Sequence, residues 1–88
     1  MKVKILYKEQ MDYTRLVEDW LRDFKRQTGR DLEKIDPESR EGVSLCRTYD
    51  ILEFPSIIAL GDDGTLQNYW RGIILPTINE VNYYAKDS

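Results

Sequence analysis

The apolar and polar positions along the chain change period several times, and each change marks an element. Val3, Ile5 and Tyr7 alternate with Lys2, Lys4 and Lys8, while Leu6 adds apolar character to the other side. Period two predicts a strand with one well-buried face and one partly covered face. Lys8 to Met11 follows as a loop. From Tyr13 the period becomes helical: Tyr13, Leu16, Val17, Trp20, Leu21 and Phe24 occupy one stripe. That stripe predicts an amphipathic helix, with Asp12 as N-cap and Gly29 as C-cap behind Lys25 and Arg26. Its wet side offers Arg15/Asp19 and Glu18/Arg22 as i,i+4 pairs. Leu32-Glu33-Lys34-Ile35 is short and half charged, which suits an edge strand.

Asp36-Pro37-Glu38 reads as a turn or a helix start, with Pro37 suited to the first helical position. Val43, Cys46, Arg47 and Asp50 share one face of the helix that follows, with Leu45 and Tyr49 beside it. Gly42 weakens its early part, so a short helix is expected. Pro55 then opens an uncharged run, Ser56 to Leu60. A proline cannot donate to a sheet ladder and belongs at a strand start. An unbroken apolar run predicts a strand buried on both faces. Gly61-Asp62-Asp63-Gly64 is a tight hairpin connection into a strand from Thr65 to Arg71, with Leu66 and Trp70 on one face. Thr77-x-x-Glu80 is a capping box for a last helix whose inner face is Ile78, Val81, Tyr84 and Ala85. The order is β-α-β-α-β-β-α. The helical crossovers favour parallel pairing of the first two strands, and the final hairpin makes the sheet mixed.

Composition narrows the function classes. Eighty-eight residues suit one domain spanning 1–88. A net charge of −3 argues against nucleic acid as the main partner, because phosphate binding needs a basic surface. No run of apolar residues is long enough for a membrane span, and the start of the chain reads as a strand, not a signal peptide. One cysteine excludes an internal disulfide and makes a reducing, cytoplasmic setting the default. The absence of histidine removes the commonest general base and metal ligand. Asp62-Asp63 and Asp36/Glu38 are better explained by turns than by a cation, since neither has the spaced oxygens of a calcium loop. No metal or cofactor is expected, and a monomer is the default.

The element order over this length resembles the minimal thioredoxin-like fold of glutaredoxins and trimmed thioredoxins. Asp36 ending the second strand, Tyr49-x-Ile51 closing the second helix, and Phe54-Pro55-Ser56-Ile57-Ile58 look like the pattern that leads into the family's cis-proline. The Gly61-Asp62-Asp63-Gly64 hairpin and Trp70-Arg71-Gly72 look like its third-to-fourth strand turn and the glycine beyond. The resemblance implies an α/β fold with a four-stranded mixed sheet of order 2-1-3-4, helices on both faces, and a cis bond before Pro55.

The family's chemistry depends on a Cys-x-x-Cys before the first helix, where the helix terminus stabilises a thiolate. Here that segment is Gln10-Met11-Asp12-Tyr13-Thr14-Arg15, without cysteine. Nor does the strand from Val3 to Tyr7 carry the buried acid that thioredoxins use. Nucleophile, resolving thiol and base are all missing, so no dithiol enzyme is expected. The resemblance instead implies a groove lined by Met11, Asp12, Tyr13, Phe54, Pro55 and Gly72 that takes a protein or extended peptide. Phe54 departs from the family's smaller or β-branched residue, and either fills part of the groove or offers a partner an apolar contact. The alternative is an oxidoreductase relative or thiol sensor acting through Cys46. Against it, a helical cysteine on an apolar face behaves as a small hydrophobe with a raised pKa.

Overall fold

In the computed structural model, which describes residues 2–86, four strands form one sheet: β1 (Lys2–Leu6), β2 (Glu33–Ile35), β3 (Ser56–Leu60) and β4 (Leu66–Arg71). Helices α1 (Thr14–Thr28), α2 (Arg40–Tyr49) and α3 (Ile78–Ala85) complete the order β-α-β-α-β-β-α. The strands lie β2-β1-β3-β4. β1 pairs parallel with β2 and antiparallel with β3, which pairs antiparallel with β4. The mixed sheet expected from the crossovers and the hairpin is therefore present, in the 2-1-3-4 order that the resemblance implies.

Side-chain alternation divides the core into two layers. Val3, Ile5, Tyr7, Ile57 and Ala59 pack with Val17 and Phe24 of α1 and Val81 and Ala85 of α3. On the opposite side, Leu6, Ile35, Ile58 and Leu60 pack beneath Leu45, Cys46 and Tyr49 of α2. β3 contributes to both layers, and all five of its residues are buried, which is why its sequence carries no charge. Lys4 lies on the α2 side of β1. Its ammonium reaches Glu41 of α2 at 2.8 Å and Glu33 of β2 at 3.4 Å, joining three elements.

The helices form where the apolar period places them, but their starts and rims differ from the expectation. The residue at the N-cap of α1 is Tyr13, and no side chain caps the helix, so Asp12 is not the cap. A turn closed by Thr14 N–H to the Met11 carbonyl (3.1 Å) precedes it. The Thr14 hydroxyl accepts from Met11 N–H (2.9 Å) and donates to the Lys8 carbonyl (2.7 Å), binding that turn to the end of β1. Gly29 caps the other end in the left-handed region (φ 73°), its N–H on the Lys25 carbonyl. Leu16 is exposed, because it lies about 100° around the helix from Val17, at the edge of the stripe. The ion pairs on the wet face are Asp19–Arg22 and Asp23–Arg26 at i,i+3. Glu18, expected to meet Arg22, instead accepts from the Tyr7 hydroxyl at 3.4 Å.

α2 begins at Arg40 with Ser39 as N-cap, its hydroxyl accepting from Gly42 N–H. Pro37 is thus outside the helix, in a turn where Asp36 accepts from Glu38 N–H (2.9 Å). Gly42 is buried against this turn: a Cβ there would sit 2.0 Å from the Asp36 carbonyl oxygen and 2.8 Å from Pro37 Cα. The glycine is a requirement of close backbone approach, not only a weak point in the helix. Val43, placed by periodicity on the inner face, is exposed, because Leu45, Cys46 and Tyr49 form the contact with the sheet. Leu66 and Trp70 also separate. The register shifts between Ala59 and Leu60, so that Leu66 lies opposite Leu60 and Trp70 opposite Ile57. One extra residue in a strand sends the side chains beyond it to the other face. At α3, Thr77 accepts from Glu80 N–H (3.1 Å) as its cap.

Candidate functional site

Two loops and a turn converge at one end of the sheet. β1 runs out at Leu6, and the chain turns through Gln10, held at φ 63°, to reach α1. The Tyr13 hydroxyl accepts from Lys8 N–H at 2.9 Å, which folds the turn back over the strand end. The Lys8 ammonium stands 5.9 Å from the centre of the Phe54 ring, the range of a cation–π contact. Lys8 therefore links the turn before α1 to the loop before β3.

That second loop is built by Pro55. The Phe54–Pro55 peptide bond is cis, and the Pro55 side chain is fully buried. Ser56 fixes the loop by donating its hydroxyl to the Glu53 carbonyl, while the Tyr69 hydroxyl lies 3.4 Å away. The Pro55 carbonyl accepts from Gly72 N–H at 2.9 Å, so the segment after β4 is tied to the same corner. Phe54 is half-buried against the α2 layer. Among the described residues, the N–H and C=O of Phe54 form no hydrogen bond within the chain.

The six residues singled out from the sequence occupy distinct places around this corner. Tyr13, Phe54, Pro55 and Gly72 are joined through Lys8 and the Gly72–Pro55 bond. Met11 and Asp12 are exposed on the turn before α1. Met11 also lines a neighbouring depression of about 700 Å³, with Tyr7, Lys8, Lys34, Ile35 and Glu38 around it. This depression opens between the carboxyl ends of the parallel strands β1 and β2, whose onward connections leave toward opposite faces of the sheet.

Three further residues belong beside this corner and went unread in the sequence. Leu52 is 83% exposed, Ile73 62% and Ile74 91%. They lie on the two loops that the Gly72–Pro55 hydrogen bond holds together, so large apolar side chains of both loops stand in water. The sequence signal was the Gly72-Ile73-Ile74-Leu75 run, which continues apolar beyond a strand that has already ended.

Cys46 is half-buried on α2, against the layer that contains Leu6 and Ile58, and burial raises its thiol pKa. Burial alone accounts for that shift, and it favours the protonated thiol. Among the described residues, no group of three or more cysteine, aspartate or glutamate side chains is gathered as a metal site requires. Nor, among the described residues, is any helix long and apolar enough to cross a membrane.

No family model matches the sequence, and no curated protein matches it. Solved structures do. The chain superposes on thioredoxin 1 of the thermophilic eubacterium Thermosipho africanus TCF52B with a TM-score of 0.64 at 16% identity, over 99% of this chain and 92% of that one. For thioredoxin-2, a component of the malaria parasite protein secretion machinery, the TM-score is 0.67 at 19% identity, over 99% and 84%. Oxidised mitochondrial thioredoxin 3 of Saccharomyces cerevisiae gives 0.66 at 17%, over 98% and 76%. At such identities the likeness is one of fold. The chain has a thioredoxin-like fold and, with a single cysteine, no Cys-x-x-Cys pair.

Proposed function

We propose that this protein is a redox-inactive thioredoxin-like module that binds a protein partner as an extended peptide in the groove beside Pro55. The observation that carries the reading is the exposure of Leu52, Ile73 and Ile74 on the two joined loops, together with a Phe54 whose backbone N–H and C=O have no partner within the described residues. An extended peptide satisfies both features at once: its backbone pairs with Phe54, and its alternate side chains cover the apolar rim. Exposed clusters of this kind on small proteins are commonly interaction sites. Met11, Tyr13 and Gly72 flank the path, with Asp12 at its solvent side.

Titration of the ¹⁵N-labelled protein with a library of extended apolar peptides tests it. Amide shifts are expected at Phe54, Gly72, Ile73 and Ile74, with binding weakened at least tenfold in Phe54→Asp and Ile74→Ser. Shifts confined to other surfaces, or equal binding by both variants, refute the groove.

A further inference from the structure

The sheet has two outer edges, β2 and β4, and an outer edge offers unpaired backbone groups to any extended chain. β2 is three residues long and carries Glu33 and Lys34, so shortness and charge blunt it. β4 is six residues long, and Leu66 to Trp70 carry no charge. We propose that Asn68 closes this second edge and keeps the chain from pairing through β4 with a second copy of itself.

The hydrogen-bond pattern shows which groups β4 turns outward. Gly72 N–H donates to the Pro55 carbonyl, so Pro55 and Gly72 form a bonded pair at the end of the β3–β4 ladder. Antiparallel ladders alternate bonded and non-bonded pairs. With Ile57 opposite Trp70 and Ile58 opposite Tyr69, Trp70 and Asn68 bond to β3. Tyr69 and Arg71 therefore turn their N–H and C=O groups to the outside. Tyr69 lies near the middle of the strand, where an added strand needs it most. Its N–H is taken by the Asn68 side-chain oxygen at 2.7 Å. An incoming strand can use that donor only by displacing Asn68.

Asn68 is held in place for this contact. Its amide nitrogen donates to the Tyr84 hydroxyl of α3 at 3.2 Å, which leaves its oxygen, an acceptor, for Tyr69 N–H. The Tyr84 ring stands edge-on to Trp70 at 5.5 Å and to Tyr83 at 5.1 Å, so the anchor is itself packed. The contact also accounts for the residue type. Asparagine is disfavoured in strands, and a β-branched residue here would suit the strand better while leaving Tyr69 N–H free. Arg71 adds a charge only at the strand's end. A second copy is the occupant an open β4 would take, because a strand can pair antiparallel with its own copy about a two-fold axis.

Amide hydrogen exchange and sedimentation velocity test the assignment. In the parent chain the Tyr69 amide is expected to exchange about tenfold more slowly than the Arg71 amide, the scale of one hydrogen bond. Asn68→Val is expected to add, as concentration rises, a dimer that the parent lacks. Gln67→Lys in that background places a charge on the edge and removes the dimer. Circular dichroism checks the fold of both variants. The exchange comparison uses the parent alone, so it decides even where a substitution disturbs the fold. Equal exchange at Tyr69 and Arg71, an Asn68→Val chain that sediments like the parent, or a dimer that persists with Gln67→Lys overturns the proposal.

Discussion

Gly42 shows how a single residue can be read correctly by propensity and still be misunderstood. Glycine in a helix lowers stability by about 1 kcal/mol relative to alanine, which alone makes Gly42→Ala a stabilising change. The structure reverses the sign. A Cβ at this position overlaps the Asp36 carbonyl oxygen at 2.0 Å, and backbone atoms cannot swing aside as a side-chain end can. Forced overpacking costs about 1–3 kcal/mol, against the propensity gain of about 1 kcal/mol, so Gly42→Ala is expected to lose up to about 2 kcal/mol net, read as a lower urea midpoint. Gly29 is the useful contrast. Nothing lies within 4 Å of a Cβ there, so Gly29→Ala bears only the strain of a left-handed alanine, about 1–2 kcal/mol. The clash at Gly42 involves residues in a preceding turn, and no pattern within the helix itself reveals it.

At the scale of elements, the first helix separates what periodicity says from what capping rules say. Its apolar stripe is strong enough to locate the helix, and Val17 and Phe24 are its buried centre as the spacing implies. The N-terminus follows a different logic. Asp12 has the right chemistry for a cap, but the turn from Lys8 to Thr14 is closed by the Thr14 hydroxyl, with two hydrogen bonds to the backbone. Thr14→Ala is therefore expected to lower stability by about 1–2 kcal/mol, whereas Asp12→Ala stays within about 0.5 kcal/mol of the parent. Equal losses in urea titrations of the two variants would restore the cap to Asp12. β4 teaches the same lesson: Leu66 and Trp70 alternate correctly along the strand, and a register shift at Ala59/Leu60 then places them on opposite sides.

For the whole molecule, the ionisable groups that join elements set the pH response. Lys4 bridges β1, β2 and α2. Burial pulls its pKa down, but its hydrogen bonds and attraction to Glu41 and Glu33 outweigh this and leave it raised. Tyr7 is also raised, first by burial and then by Glu18, and Cys46 by burial. In each case the folded state holds its proton more tightly than the unfolded chain. The resulting stability is fully present below the unfolded pKa and is lost as pH rises through the folded one. The protein is thus expected to weaken on the alkaline side, from about pH 9 upward. In a Cys46→Ala background, Lys4→Met and Tyr7→Phe each flatten the alkaline limb of the urea midpoint against pH. A limb unchanged in both variants would assign the loss to other groups.

The sequence by itself determined the element order, the parallel pairing of β1 with β2, the β3–β4 hairpin, the doubly buried character of β3, and the absence of a Cys-x-x-Cys pair. Those follow from period, from the length of crossover connections, and from the presence or absence of a reactive side chain, all of which are local or countable. Tyr13, Phe54, Pro55 and Gly72, which the resemblance set together, are joined in the structure through Lys8 and the Gly72–Pro55 hydrogen bond. Tertiary structure alone decided which edge of each helix meets the sheet, so that Leu16 and Val43 face solvent, and why Gly42 has no side chain. It also decided that Leu52, Ile73 and Ile74 stand exposed on the two loops that the Gly72–Pro55 hydrogen bond joins. Each of these depends on distances between residues far apart in the chain, and packing, not propensity, sets those distances.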